Sequence, residues 1–329
     1  MLRDMMPQFE LYQPDTLENA LSLMKELDEK AWIMAGGYDS LDWFKDRAKR
    51  PSAVVDITGI ATLRGIRETA DGLEIGALTT LTEVERNPVV KEKYSLLASA
   101  ARHVASPQIR NGGTLGGNLC QDARCWYYRS GIDCYRAGGN SCYADSPQGQ
   151  NREHCLFGAK RCVAVSPSDM GTAAVALDAR MVVHGAAGER VIPAEEFFIG
   201  PATDIEHMTA LKRGEILTAI RIPKDWAGAK FYFEKVTDRG TWDFALVSVA
   251  AAMILDGGTI RKIRLACGAV ECVPRRLKAV EGAVTGSAQD EETAILAGKT
   301  AAQGATPLNF NHFKIPLMEN LVRRAIRDA

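Results

Sequence analysis

The stretch SPQIRNGGTLGGNLCQDARC, residues 106–125, joins two kinds of chemistry. Its first part is dense in glycine, at Gly112, Gly113, Gly116 and Gly117. Its second part opens a run of cysteines at positions 120, 125, 134, 142, 155 and 162. Glycine lets a backbone approach a ligand closely and turn its N–H groups toward negative charge. Clustered cysteines offer soft thiolate ligands to a metal. A second glycine turn, IMAGGYDS (33–40), ends a strand predicted over 31–35. Neither loop is the G-x-G-x-x-G of a Rossmann unit, and there is no Walker pattern. Singly, each reads as a tight turn after a strand. Two in one chain point to a dinucleotide diphosphate, so the stretch as a whole reads as redox.

The 329 residues suffice for two or three domains. A 46% hydrophobic, 25% charged composition is ordinary for a globular chain. A net charge of -1, from 40 basic and 41 acidic residues, advertises neither a nucleic-acid nor a membrane partner. The longest apolar run, ALVSVAAAMIL (245–255), falls short of the roughly 20 residues of a membrane span. The opening MLRDMMPQFELYQPD has no apolar h-region, so the expected location is the cytoplasm. In a reducing compartment the cysteine cluster reads as a metal site rather than a disulfide framework.

Periodicity lays out the rest. Asp15 with Glu18 forms a capping-box pattern before a helix carrying Leu17, Leu21, Met24 and Leu27 on one face. Strands are predicted in AWIMA (31–35) and SAVVDIT (52–58), and a hairpin about Asp71-Gly72. Helices follow near 80–89 and 93–105, with 106–118 as a loop. Residues 119–164 lack periodicity and read as an insertion whose order depends on what its cysteines bind. SDMGTAAVALDARMVVHG (168–185) returns to helix then strand, and EILTAIRIP (215–223) is a strand. Three antiparallel strands (231–238, 245–255, 260–270) and helices over 275–284, 290–303 and 320–329 close the chain.

Several motifs occur in order: GGYDS, IRNGGTLGGN, SPSDMGTAAVALDA, GEILTAIRIP, FEKVTDRGTWDFALVSVAAA and RLACGAVECVPRR. Together they resemble the FAD-binding medium (β) subunit of the xanthine dehydrogenase and molybdenum hydroxylase family over nearly the whole chain. The resemblance implies an α+β fold: a two-lobed FAD-binding domain of the CO-dehydrogenase flavoprotein (PCMH) type, then a C-terminal three-stranded antiparallel sheet with helices. It implies domains 1–223 (lobes 1–58 and 59–223, insertion 119–164) and 224–329. It implies that Ile33, Met34, Ala35, Gly36, Gly37, Tyr38, Asp39 and Ser40 wrap the pyrophosphate of FAD. It places Thr114, Leu115, Gly116, Gly117 and Asn118 on the flavin side and diphosphate, with Ala105 nearby. Asp169 matches an FAD-contacting position, and Leu217 and Lys235 match positions near the flavin ring. On its residues alone Lys235 reads as a solvated strand lysine. Tyr38 stands where the family has threonine. The family's basic residue after Phe-Phe is missing from FFIGPATD (197–204), which argues against NAD as the partner.

The insertion is similar to the one in the β subunit of 4-hydroxybenzoyl-CoA reductase, which holds an extra [4Fe–4S] cluster. That resemblance implies ligands Cys125, Cys142, Cys155 and Cys162, with Cys120 and Cys134 in reserve. Intervening spacings of 16, 12 and 6 are not those of a ferredoxin, and zinc, with His154 adjacent, is equally open on spacing alone. Cys267 and Cys272 read as buried and inert. Basic and aromatic residues in the insertion also fit a zinc-knuckle nucleic-acid binder, but Asp122, Asp133, Asp145 and Glu153 temper the charge. No paired carboxylates, Ser/His/Asp set or H-E-x-x-H appear, so no catalytic residue is assigned. The resemblance implies a large subunit with the molybdenum cofactor, a small subunit with two [2Fe–2S] clusters and a dimer of such heterotrimers. Reduced ferredoxin would be the donor for reductive dehydroxylation to benzoyl-CoA. The alternative is a related hydroxylase oxidising another aromatic or N-heterocycle.

Overall fold

A computed structural model describes residues 6–329. The start of the segment read as lacking an h-region, residues 1–5, lies outside the described residues. The first lobe is a three-stranded parallel sheet in the order Glu10–Tyr12, Ala53–Asp56, Ala31–Met34. Helix Leu17–Leu27 connects the outer two strands and packs Ala20 and Met24 against Val55 and Ile57. Its N-cap is Thr16, whose hydroxyl accepts from the Asn19 N–H at 3.2 Å, not Asp15. Asp15 instead accepts from the Asn19 side-chain amide at 3.1 Å, one residue outside the cap position.

The middle lobe is a five-stranded antiparallel sheet in the order Ile66–Thr69, Gly72–Gly76, Ile216–Pro223, Arg180–Gly185, Gly188–Pro193. Helices Leu81–Arg86, Ser95–Arg102 and Asp169–Ala176 share its core, around Leu97, Met170 and Ile220. The segment 106–118 is not a plain loop. It forms two single-turn helices, Pro107–Gly112 and Leu115–Leu119, capped by the hydroxyls of Ser106 and Thr114. Two good N-caps and a proline at N1 outweigh the glycines over so short a run.

The C-terminal sheet is antiparallel, in the order Arg275–Arg276, Thr259–Gly268, Val247–Asp256, Lys230–Val236. The expected three strands gain a two-residue fourth, because Arg275 and Arg276 pair with Cys267 and Ala266 before helix Lys278–Val284 begins. Helices Glu291–Ala301 and Lys314–Arg327 pack Ala297, Leu321 and Val322 against Val249 and Leu265. The last helix starts six residues before the predicted 320, since Pro316 lies in its first turn, where no N–H bond is lost.

Between these parts the insertion is largely irregular, apart from Trp126–Arg129 and a 3₁₀ turn at Tyr135–Ala137. Much of its order comes from the C-terminal lobe. The Leu156 and Phe157 N–H groups donate to the Val270 carbonyl at 2.8 and 3.1 Å. Asn311, fully buried, donates to the carbonyls of His154 and Cys155, both at 3.0 Å. The Lys314 ammonium, also fully buried, donates to the carbonyls of Glu153 (3.2 Å), His154 (2.9 Å) and Ala269 (2.5 Å). Among the described residues no helix is long and apolar enough to cross a membrane.

Lys314→Met leaves three buried carbonyls without this donor, so the variant unfolds more readily, by about 1–3 kcal/mol at neutral pH. Burial pulls the Lys314 pKa down to about 7. The unfolded chain therefore binds more protons between pH 7 and the ordinary lysine value. Wild-type stability relative to the variant should then rise with pH across that window and level off above it. Urea titrations at several pH values measure both effects.

Candidate functional site

The two glycine turns meet. A Cβ added to Gly36 would run into the Gly112 carbonyl oxygen, and one on Gly112 would strike the Tyr38 ring. Tyr38, which replaces the expected threonine, lies over Gly112 with its ring half exposed. Gly116 is equally confined, against Ala77. The turns form one wall of an open cleft of about 1130 Å³ between the parallel sheet, the middle lobe and the C-terminal sheet. That volume suits a large organic cofactor.

The cleft is lined by Ile33, Ala35, Gly36, Gly37, Tyr38, Asp39 and Ser40 from the first turn. Thr114, Gly116, Gly117 and Asn118 line it from the second, with Ala105, Asp169, Leu217 and Lys235. Met34 and Leu115 do not: Met34 packs near Trp43 and Phe44, and Leu115 is fully buried in the middle core. The Thr114 hydroxyl caps its turn by accepting from the Gly117 N–H at 3.1 Å. The Asn118 side-chain oxygen, Oδ1, accepts from the Ser168 hydroxyl (2.8 Å) and the Met170 N–H (3.2 Å), which ties GGN to the start of helix Asp169–Ala176.

Lys235 is not solvated. Its side chain is 3% exposed and its ammonium donates to Asp169 at 2.6 Å and to the His103 carbonyl at 2.9 Å. Burial pushes the Asp169 carboxyl above its ordinary range, with Lys235 opposing. Ala105 holds φ at +41°, and its carbonyl accepts from the N–H of Trp242 at 2.8 Å.

Sequence reasoning missed the side chains that the insertion brings to this cleft. Arg129 pairs with Asp39 at 2.9 Å and lies 4.3 Å from the centre of the Trp43 ring. Lys49 sits 3.5 Å from Asp122 and 5.0 Å over the Tyr128 ring. No glycine signature marks these positions. The only sequence signal is the basic and aromatic run WYYR (126–129) beside the loop.

Behind the cleft lies a small enclosed cavity, about 10 Å³, walled by Cys125, Cys134, Cys142 and Cys162 with Tyr128 and Arg136. Three of the four expected cysteines meet there, and the fourth wall position belongs to Cys134. Cys155 stands outside, buried among Ala144, Val163 and Val165, its N–H donating to the Val163 carbonyl at 2.9 Å. Cys120 is exposed and lines the large cleft. Among the described residues no three His, Cys, Asp or Glu side chains converge closely enough to hold a single metal ion. The cavity as drawn admits about one water, so a larger group requires the thiols to move apart.

Of these thiols one, Cys162, is drawn toward the thiolate. The Cys162 thiol is held below its ordinary range by a hydrogen bond from Cys272 and by the Arg136 guanidinium, against burial. Burial pushes Cys125 and Cys155 up to about 12. Cys272, expected to be inert, thus adjoins these thiols: its sulfur accepts from Arg136 at 3.3 Å and lies 3.6 Å from the Met208 sulfur. Cys267 is fully buried in the C-terminal core. Two polar nitrogens buried here, Arg136 Nε and His154 Nδ1, have no hydrogen-bond partner.

Comparison with known proteins accounts for most of this geometry. Residues 7–225 match a family described as the FAD binding domain in molybdopterin dehydrogenase. Residues 231–329 match the CO dehydrogenase flavoprotein C-terminal domain. The aldehyde oxidoreductase FAD-binding subunit PaoB of Escherichia coli is 33% identical over 95% of this chain and 95% of its own length. The carbon monoxide dehydrogenase medium chain of Hydrogenophaga pseudoflava is 28% identical over 98% of this chain and 97% of its own. A solved structure of carbon monoxide dehydrogenase from that organism superimposes with a TM-score of 0.79 at 29% identity, covering 98% of this chain and 97% of the other.

Gly36→Ala should weaken FAD binding by roughly tenfold or more, about 1.4 kcal/mol, because the added methyl forces the two turns apart. Flavin absorbance of the purified variant, with and without added FAD, measures this. Tyr38→Phe keeps the ring on Gly112 and should retain the flavin.

Proposed function

This chain belongs to the family of FAD-binding domains of molybdopterin dehydrogenases, and from that membership we propose that it is the electron-transferring flavin subunit of a molybdenum enzyme, with an iron–sulfur cluster of its own. The observation that carries the second half is a shared wall: Cys125, Tyr128 and Arg136 line both the FAD cleft and the cysteine cavity. A group held by the four thiols would be separated from the flavin cleft by these side chains alone. When bound, FAD exchanges one or two electrons and a thiolate-held cluster exchanges one, so the pair can link single-electron carriers to a two-electron reaction elsewhere.

The chain's own residues hold these groups. The first glycine turn, Gly36 to Ser40, would offer its N–H groups to the FAD diphosphate. Lys235, fixed by Asp169, would set positive charge toward the flavin, and Leu217 would cover it with an apolar surface. Arg129 braces the first turn through Asp39, so the insertion supports the FAD site. The ligand set proposed for the [4Fe–4S] cluster is Cys125, Cys134, Cys142 and Cys162, the four that share a cavity. It differs from the set implied by resemblance in exchanging Cys155 for Cys134.

In its finer form the proposal follows the insertion. Electrons from reduced ferredoxin would enter at the cluster side and leave toward a small subunit with two [2Fe–2S] clusters and a large subunit with the molybdenum cofactor. There 4-hydroxybenzoyl-CoA would lose its phenolic hydroxyl, in a cytoplasmic dimer of heterotrimers. A second reading reverses the flow, with oxidation of an aldehyde or an N-heterocycle at the large subunit. The 33% identity to an aldehyde oxidoreductase FAD-binding subunit favours it.

Anaerobic purification with flavin, iron, sulfide and zinc analysis tests the proposal. It expects about one FAD and about four irons, with a reduced-cluster paramagnetic signal. Cys134→Ser should lose iron while Cys155→Ser keeps it. Flavin with zinc and no iron would reduce the insertion to a structural staple. With the partner subunits present, dye-driven reduction of 4-hydroxybenzoyl-CoA supports the reductive reading, and dye-coupled aldehyde oxidation supports the second.

A further inference from the structure

We propose that a single internal water occupies a small cavity between the Ser248 hydroxyl and the Asp169 carboxyl, and that this water helps hold Asp169 on Lys235 at the wall of the large cleft. The cavity, about 10 Å³, lies where three parts of the chain meet. Its walls are Arg124 from the insertion, Ser166, Ser168 and Asp169 from the middle lobe, and Ser248 and Gly268 from the C-terminal sheet. That is room for about one water, which needs about two to four polar partners. Ser248 is 1% exposed, and its hydroxyl has no hydrogen-bond partner in the protein. Buried hydroxyls are almost always paired, with protein groups or with water.

Sheet register fixes where that hydroxyl points. Ser248 pairs with Lys235 on one side and Gly268 on the other, so all three present the same face. A Cβ built on Gly268 would collide with both Ser248 Oγ and Thr172 Oγ1, so that face is the one covered by helix Asp169–Ala176. On it the Lys235 ammonium reaches Asp169 Oδ2. Other polar walls of the cavity are committed. The Ser168 hydroxyl donates to Asn118 and accepts from the Gly171 N–H, and Arg124 uses two nitrogens on the Ala245 carbonyl and Glu153. Ser248 and Asp169 are left to bind the water, with Ser166, which accepts a 3.4 Å bond from the Ser168 N–H, as a third partner. Asp169 and Arg124 line the large cleft as well, so the water sits one side chain behind it. The groups that face Asp169 are Lys235, His103 and Arg124, and all favour its carboxylate against burial. An O–H from the water adds to their side. Without it the carboxyl takes up a proton more readily, and the Lys235 charge is less compensated.

A crystal structure of the purified protein, fine enough to show ordered waters, is the first test, and it needs no cofactor. The expected result is one water within hydrogen-bond distance of Ser248 Oγ and of Asp169. An empty cavity, or a Ser248 hydroxyl bonded to a protein group instead, overturns the proposal. The second test is a dye-mediated titration of the flavin midpoint potential in the flavin-loaded enzyme at several pH values. Ser248→Val, whose methyl groups fill the cavity, should move the midpoint to more positive values, because a protonated Asp169 leaves the Lys235 charge to favour the reduced, more negative flavin. Ser248→Ala leaves room for a water on Asp169 and should move it less. Equal midpoints in wild type and the Val variant would overturn the positioning role. A shift in the Ala variant as large as in the Val variant would assign the effect to the hydroxyl itself and overturn the role of the water. If Ser248→Val does not fold, the crystal structures of wild type and Ser248→Ala decide, since both should hold the water on Asp169. A wild type that takes up no FAD overturns the flavin reading, while the crystal structure still decides the water.

Discussion

The structure depends on a contact between two glycines. Gly36, at the end of a parallel strand, lies against Gly112, at the end of a one-turn helix, with no room for a methyl group between them. Because the two turns can touch, the first lobe and the middle lobe share a rim, and residues of both turns line one cleft. Everything else fixes that rim in place. Asn118 ties the second turn to the cap of helix Asp169–Ala176 through Ser168. Trp43 and Arg129 hold the first through Asp39. Lys235 arrives from the C-terminal sheet and closes the third side on Asp169.

The insertion uses the same framework differently. It has almost no regular structure, so backbone ladders do not satisfy its polar groups. Carbonyls from the insertion are met by Asn311 and Lys314, and its N–H groups by Val270. This anchoring places four thiols around one cavity immediately behind the cleft. The insertion therefore both braces the first glycine turn, through Arg129, and walls a second, small cavity.

Much of this was legible in the residues. The glycine turns announce close approach, and period-two and period-3.6 patterns mark most strands and long helices, though the strands Glu10–Tyr12 and Gly188–Pro193 were not read. Misreadings arose where neighbouring residues compete for one role. Thr16 and Asp15 both suit an N-cap, and only the chain's entry angle decides between them. The glycines of 106–118 suggested a loop, yet Ser106 and Thr114 cap short helices there. Lys235 was indistinguishable from a surface lysine until Asp169, 66 residues away, came beside it. Spacing also could not show that Cys134, and not Cys155, lines the small cavity with Cys125, Cys142 and Cys162. In a segment without periodicity, convergence depends on contacts made far along the chain, such as the pairing of residue 155 with Val163.

The central claim is that the cysteine cavity and the flavin cleft are two ends of one electron path through this chain. The most direct measurement is anaerobic stopped-flow mixing of the holoenzyme with a reduced one-electron donor, following flavin bleaching in wild type and in Cys125→Ser. The account predicts fast bleaching in wild type and strongly slowed bleaching in the variant at equal flavin content. Equal rates in both would contradict it, because the flavin would then receive electrons without the cysteine site.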